Sequence, residues 1–393
     1  MGASFLRYGI VLLFAFNLRS NLANFAPLVT LMSQEMLIGP VAMSLVGFLP
    51  PAGFALAAFL GQPITSRFGL YRTTQLAMWA VILGSVARAL APGIVSFSIA
   101  TAIALAGAGL GNVLLPIMTR EVSGRRTTQL SAANGIVFSV ATAIPIFVAL
   151  PLADVIGWRG SLGVWALPAA AFLLFWRRQN HLWKTHEPRV PDDKASAHFS
   201  RQLRSGHAWL TGLVFGMAGF VVYSVFIWFP IFLTEAGGLE GSEAANAISA
   251  FALAGVLISA FIPLSSKLRT PASAVMGFGF VLLLAFLAAV LVAPTNQLFW
   301  WFVLGGIGPI VFPVILISIA RQNRASPSDV GFSSFVQGMG YLIGSVGPIV
   351  TGALYARWQS PVIPLVVLGG CAVVGLLLVV GLHIFGAGSR KPL

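Results

Sequence analysis

Residues 111–116 read GNVLLP, and residues 308–313 read GPIVFP. Each stretch sets a glycine and a proline five positions apart inside a long apolar run, and Pro116 and Pro313 lie 197 residues apart. Two further pairs keep nearly that spacing. Phe25-Ala26-Pro27 matches Trp228-Phe229-Pro230, with the prolines 203 apart, and Trp158-Arg159 matches Arg357-Trp358, with the tryptophans 200 apart. A shared offset near 200 predicts a chain built from two homologous halves.

Composition names the solvent of those halves. Of 393 residues, 58% are hydrophobic and 8% charged, against roughly a quarter charged in a soluble domain. So few charges cannot cover a chain of this length with a water-facing surface, which disfavours soluble enzymes, nucleic-acid binders and disordered chains. The mean hydropathy of +0.91 and the 30 Phe point to lipid. Gly 42 and Pro 23 agree, because helices in membranes tolerate both. Cys371 is the single cysteine, which excludes an internal disulfide and a CxxC metal site. The histidines show no metal-ligand pattern, and no cofactor motif occurs. The N-terminal apolar run reads as a first spanning helix rather than a removed signal peptide.

A spanning helix needs about 20 mostly apolar residues. Breaking the chain at its polar clusters gives spans at 8–32, 41–63, 73–91, 95–117, 128–152, 160–176, 208–234, 244–264, 273–293, 298–320, 330–354 and 361–385. The expected fold is therefore an all-α membrane protein of twelve transmembrane helices in two pseudo-symmetric six-helix halves. The halves would be 1–176 and 208–393, joined by a polar connector at 177–207. Alternate breaks hold 19 of the 23 basic residues. Cytoplasmic loops carry that excess, which predicts a multi-pass protein of a bacterial-type inner membrane with both termini cytoplasmic. The net charge of +13 then sets topology rather than binding nucleic acid. Two parallel halves in a membrane suit alternating access to a small solute held between them.

Several stretches carry a family resemblance. They are Asn17-Leu18-Arg19 followed by FAPL, GSVARAL (84–90), GAGLGNVLLP (107–116), GWRGSLGVWALPA (157–169), VYSVFIWFPIFLTEAG (222–237) and SSFVQGMGYLIGSVGPIVTGAL (333–354). In that order they resemble the major facilitator superfamily, and within it the branch of cyanate and 2-nitroimidazole transporters. There are two departures. QPITSRFGLY (62–71) puts Ser66 where the superfamily's loop Asp would be, and Ser20 stands where the branch often has Pro.

Arg19 is the sharpest single signal. A mid-membrane arginine costs from about 2.5 to more than 10 kcal/mol, depending on the reference state, and no span holds an Asp or Glu to pair with it. An anionic ligand would supply the partner, since a guanidinium grips a planar anion with two hydrogen bonds. Alternatively, Arg19 binds backbone carbonyls or snorkels. Asn17, Ser20, Asn21 and Asn24 form a separate stripe nearly opposite Arg19. With Arg19 assigned to the cavity, that stripe is either interhelical glue or itself the cavity lining. A break near Ser20 would reconcile the two. Arg88 either attracts an anion or snorkels to the outer interface. Gln337 and Tyr341 share a polar stripe with Ser334 and Ser345. Asn112 interrupts the fourth span, and Tyr223 and Trp228 offer a π-faced wall in the seventh.

The expected function is secondary or facilitative transport of a small anionic or polar planar solute, and the chain is expected to act as a monomer in the bilayer. The resemblance implies cyanate, nitroimidazole-like compounds or a small carboxylate. A drug or metabolite exporter for neutral aromatic compounds is the alternative of the same fold. A polytopic enzyme or a non-transporting sensor is the alternative of another class. The spans offer no paired carboxylates, no Ser/His/Asp set and no nucleotide motif.

Overall fold

Glycine decides where the long helices break. The computed structural model describes residues 2–21, 24–36, 40–123, 127–178, 202–258, 261–262, 270–292, 297–325 and 330–385. Helix α1 is Gly2–Ser20. Helix α2, Pro40–Ala89, runs through the second and third spans and breaks at Gly69, where φ is 75° and ψ 163°. Helix α3 is Ile94–Ser123. Helix α4, Thr127–Gly163, breaks in the same way at Gly157, with φ 70° and ψ 164°. A side chain strains that backbone region, whereas glycine enters it freely. The sequence can therefore reverse between spans without a loop. Helix α5, Ala166–Arg178, completes the sixth span.

In the second half, α6 is Gly206–Ile231 and ends in a π turn at Phe232–Ala236. Then come α7, Gly241–Leu253, and α8, Ala272–Val292. The tenth span is split into α9, Leu298–Gly305, a 3₁₀ turn at Gly308–Ile310, and α10, Val311–Ala325. Helix α11 is Val330–Trp358 and α12 is Val362–Phe385. Among the described residues, nine helices are long and apolar enough to cross a membrane. With the first, third and sixth spans they make up the twelve-helix architecture. The first carries Asn17 and Arg19, the third carries Arg88, and the sixth is interrupted between α4 and α5.

Besides the interrupted sixth, the first and tenth spans differ from the continuous helices expected. The tenth breaks at its Gly305–Pro309 run. The first, expected over 8–32, stops at Ser20 and resumes only as a 3₁₀ turn at Ala26–Leu28 and one helical turn at Val29–Met32. Most of the connector, residues 179–201, lies outside the described residues.

Close approach holds the bundle together, because lipid supplies no hydrophobic drive between helices. Helix α11 packs along α2 and α6, α7 packs on α4, and α1 lies among α3, α4 and α5. A Cβ on Gly47 of α2 would lie 2.7 Å from Cβ of Pro348 on α11. A Cβ on Gly352 would collide with Ser44 of α2 and the Trp228 ring of α6. Small residues thus set the seam where α2, α6 and α11 meet.

Candidate functional site

Arg19 occupies the last turn of α1. Its neighbours Leu18 and Ser20 are fully buried, whereas Arg19 is half-buried, so its side chain faces out of the packed interior of its own half. Aromatic side chains meet it there. The guanidinium carbon lies 4.8 Å from the ring centre of Phe138 on α4 and 5.2 Å from that of Phe54 on α2. Tyr223 of α6 and Tyr341 of α11 both interact with Arg19 through their phenol groups. One cation is therefore met by side chains from four other helices, two before and two after the connector.

The aromatic wall continues into the second half. Tyr341 lies 5.3 Å from Phe54 and 4.9 Å, edge-on, from Phe215 of α6. Phe215 in turn meets Phe312 of α10 at 4.9 Å. Gln337 sits one turn below Tyr341 on α11, half-buried, and donates from Nε2 to Ser333 Oγ at 2.9 Å. Among the described residues, no carboxylate accompanies Arg19. Among the described residues the ion pair formed is Arg159 with Glu35, outside the spans. A cation over aromatic faces gains about 0.5–2 kcal/mol per ring. That offsets only part of the cost of a charge held at this depth. A planar anion laid between the guanidinium and the phenol hydroxyls would supply both charge and hydrogen-bond acceptors.

The structure separates the other candidates from this group. Asn17 is buried within the first half, where Nδ2 donates to the carbonyl oxygens of Leu13 at 2.8 Å and Pro168 at 3.2 Å. It therefore joins α1 to α5. Asn24 accepts from Arg88 at 3.5 Å, and Arg88 is 1% exposed. Arg88 thus turns inward onto the end of α1, where it neither snorkels nor meets Arg19. Trp228 is buried with Nε1 donating to the carbonyl oxygen of Pro348 at 2.9 Å. That tryptophan belongs to the α6–α11 seam, because a buried indole N–H needs an acceptor and the Pro348 carbonyl supplies it. Asn112 is half-buried on α3, its Nδ2 without a partner among the described residues. Neighbouring Gly111 sits against Leu18 and Phe14 of α1.

Phe54 and Phe138 were missed by sequence reasoning. Nothing distinguishes them among thirty phenylalanines until the fold sets them beside a cation.

Comparison with known proteins agrees with this architecture. The Major Facilitator Superfamily profile matches residues 9–344. An uncharacterized transporter of Bacillus subtilis, YycB, is 25% identical over 387 residues, covering 97% of this chain and 93% of that protein. The 2-nitroimidazole transporter of Escherichia coli is 26% identical over 379 residues, covering 94% and 92%. Among solved structures, a D-xylose-proton symporter superposes with a TM-score of 0.73 at 15% identity, covering 100% of this chain and 99% of that one. The partially occluded, inward-open E. coli xylose transporter XylE gives a TM-score of 0.68, also at 15% identity. At that identity the two structures speak for the fold alone. With twelve spans, two like halves and a profile match over most of its length, the chain belongs to the Major Facilitator Superfamily.

Proposed function

We propose that this transporter moves a small planar anion, or a polar planar solute, across the membrane by alternating access between halves 1–176 and 208–393. The observation that carries this reading is Arg19. It is a membrane-depth cation with no carboxylate partner among the described residues, faced by Phe54 and Phe138 from one half and Tyr223 and Tyr341 from the other. A ligand there touches both halves, so binding it and moving the halves are linked. Flat rings favour a flat solute, and the guanidinium favours an acceptor-rich edge. The 2-nitroimidazole transporter among the relatives is in keeping with a flat, nitrogen-rich substrate.

The aromatic wall favours a second reading, export of neutral aromatic compounds. A melting-temperature screen of the purified protein separates the two. A ligand that binds only the folded state raises apparent stability by mass action. Cyanate, benzoate and 2-nitroimidazole are compared with neutral, apolar benzene and toluene, in wild type and in Arg19→Gln. The anion reading expects shifts with the first group that vanish in Arg19→Gln. Shifts with the neutral pair that survive Arg19→Gln would replace it by the export reading.

A further inference from the structure

The first helix stops at Ser20, one residue past Arg19. A helix end leaves its last carbonyl groups without intrahelical donors, and in a membrane no bulk water replaces them. Here a buried arginine reaches across from the third span. Arg88 Nη1 donates to the carbonyl oxygen of Asn21 at 2.9 Å, and Nη2 approaches Asn24 Oδ1 at 3.5 Å. Three residues earlier on α2, Ser85 Oγ donates to Asn21 Oδ1 at 2.7 Å. The guanidinium carbon of Arg88 lies 5.9 Å from the Phe97 ring centre of α3, and Phe97 packs on Phe25 at 5.2 Å. Arg88, Ser85, Asn21 and Asn24 are all 1% exposed or less. A cation at a helix C-terminus is also favourably placed against the helix dipole.

We propose that Arg88 is a positioning residue. By binding Asn21 and Asn24, it fixes the end of α1 so that residue 19 faces the space between the halves. This rests on the reading of Arg19 as the substrate-binding cation and assigns Arg88 a role away from the substrate. Arg88 and Ser85 together hold both the backbone carbonyl and the side chain of Asn21, the residue that follows the helix end. Leu18 and Ser20 are fully buried, so any turn of α1 that displaces residue 19 carries it into packed protein.

Cys371 is the single native thiol, which allows a test that needs no substrate. In a Cys371→Ser background, Arg19→Cys, Tyr223→Cys and Tyr341→Cys each introduce one reporter. Its rate of modification by a small methanethiosulfonate is measured with Arg88 intact and with Arg88→Gln. The expected result is a fall of at least tenfold at position 19, with changes below twofold at 223 and 341. An unchanged or faster rate at 19, or parallel changes at all three positions, would overturn the proposal and leave Arg88 as general packing. If Arg88→Gln does not accumulate in membranes, Arg88→Lys carries the test, since an ammonium keeps the charge but loses the fork that reaches two acceptors. A fall of at least threefold confined to position 19 supports the role, and no fall overturns it. Failure of Arg19 to bind anions would leave these rates untouched, so the two readings fail separately.

Discussion

The Arg19 guanidinium lies 4.8 Å from the ring centre of Phe138. This pairing of a helix-end cation with the face of a fifth-span aromatic turns α1 and α4 toward the same space. Removing the charge tests what it serves. Arg19→Ala should abolish uptake of the anion found in the ligand screen while leaving membrane abundance near wild type. Arg19→Lys should recover little, because an ammonium lacks the planar fork. Normal uptake by Arg19→Ala would make the residue structural. Tyr341→Phe and Gln337→Ala should weaken affinity by about 1–3 kcal/mol each where a buried ligand acceptor loses its donor.

The seam of α2, α6 and α11 should be intolerant of volume. Gly352→Val places its Cβ against Ser44 and Trp228, and overpacking of this kind costs about 1–3 kcal/mol. Thermal unfolding in detergent should show a lower melting temperature, and transport should slow. Trp228→Phe should cost about 0.5–1.5 kcal/mol through the lost bond to Pro348 while leaving ligand affinity unchanged, since the indole is sealed into the seam. A large affinity loss in Trp228→Phe would return it to the binding site.

Glu35 predicts a pH dependence outside the spans. A hydrogen bond from Arg159, and then one from Trp158, hold its carboxyl below the usual carboxylate range. A folded pKa below the unfolded value means stability that is present above the unfolded pKa and lost as pH falls through the folded one. The melting temperature of wild type should therefore exceed that of Glu35→Gln at pH 7, and the gap should close as the pH drops well below 4. The exposed position keeps the gap small. A gap that persists in acid would mean that the carboxylate is not its source.

Energy coupling follows from the missing carboxylates. Proton-coupled transporters commonly relay protons on intramembrane acids or His. Glu235, at the end of the seventh span, is engaged by the Tyr355 hydroxyl at 2.5 Å, and Glu35 is engaged by Arg159 and Trp158. Substrate counterflow in reconstituted vesicles should persist without a pH gradient, and Glu35→Gln and Glu235→Gln should leave it nearly unchanged. Proton flux that follows substrate and disappears in either variant would place the coupling site on these acids.

Orientation can be checked by fusion. A reporter active only in the periplasm, joined after residue 393, should give no signal, because basic residues cluster on the side predicted to hold both termini. A strong signal would reverse the assignment.

Much of this architecture was legible in the residue order. Apolar runs of spanning length, basic clusters at alternate ends and offsets near 200 are properties of the chain in one dimension, and the bilayer enforces the first because only helices and closed barrels satisfy the backbone's polar groups there. Arg19 also stood out, because a charge in lipid needs a reason wherever the helix turns. The direction in which each polar side chain points was different. At 100° per residue, Asn17 and Arg19 lie on nearly opposite faces of α1, and both faces of an inner helix meet protein. It took the packing of α1 among α3, α4 and α5 to send Asn17 to Pro168 and Arg19 toward Phe138. Arg88 was ambiguous for the same reason. An arginine near a span end can reach water or fold inward, and Asn21, sixty-odd residues away in sequence, supplied the carbonyl that drew it in. Phe54 and Phe138 carried no local mark at all, since a phenyl ring becomes a cation's partner only when the fold brings a cation to its face.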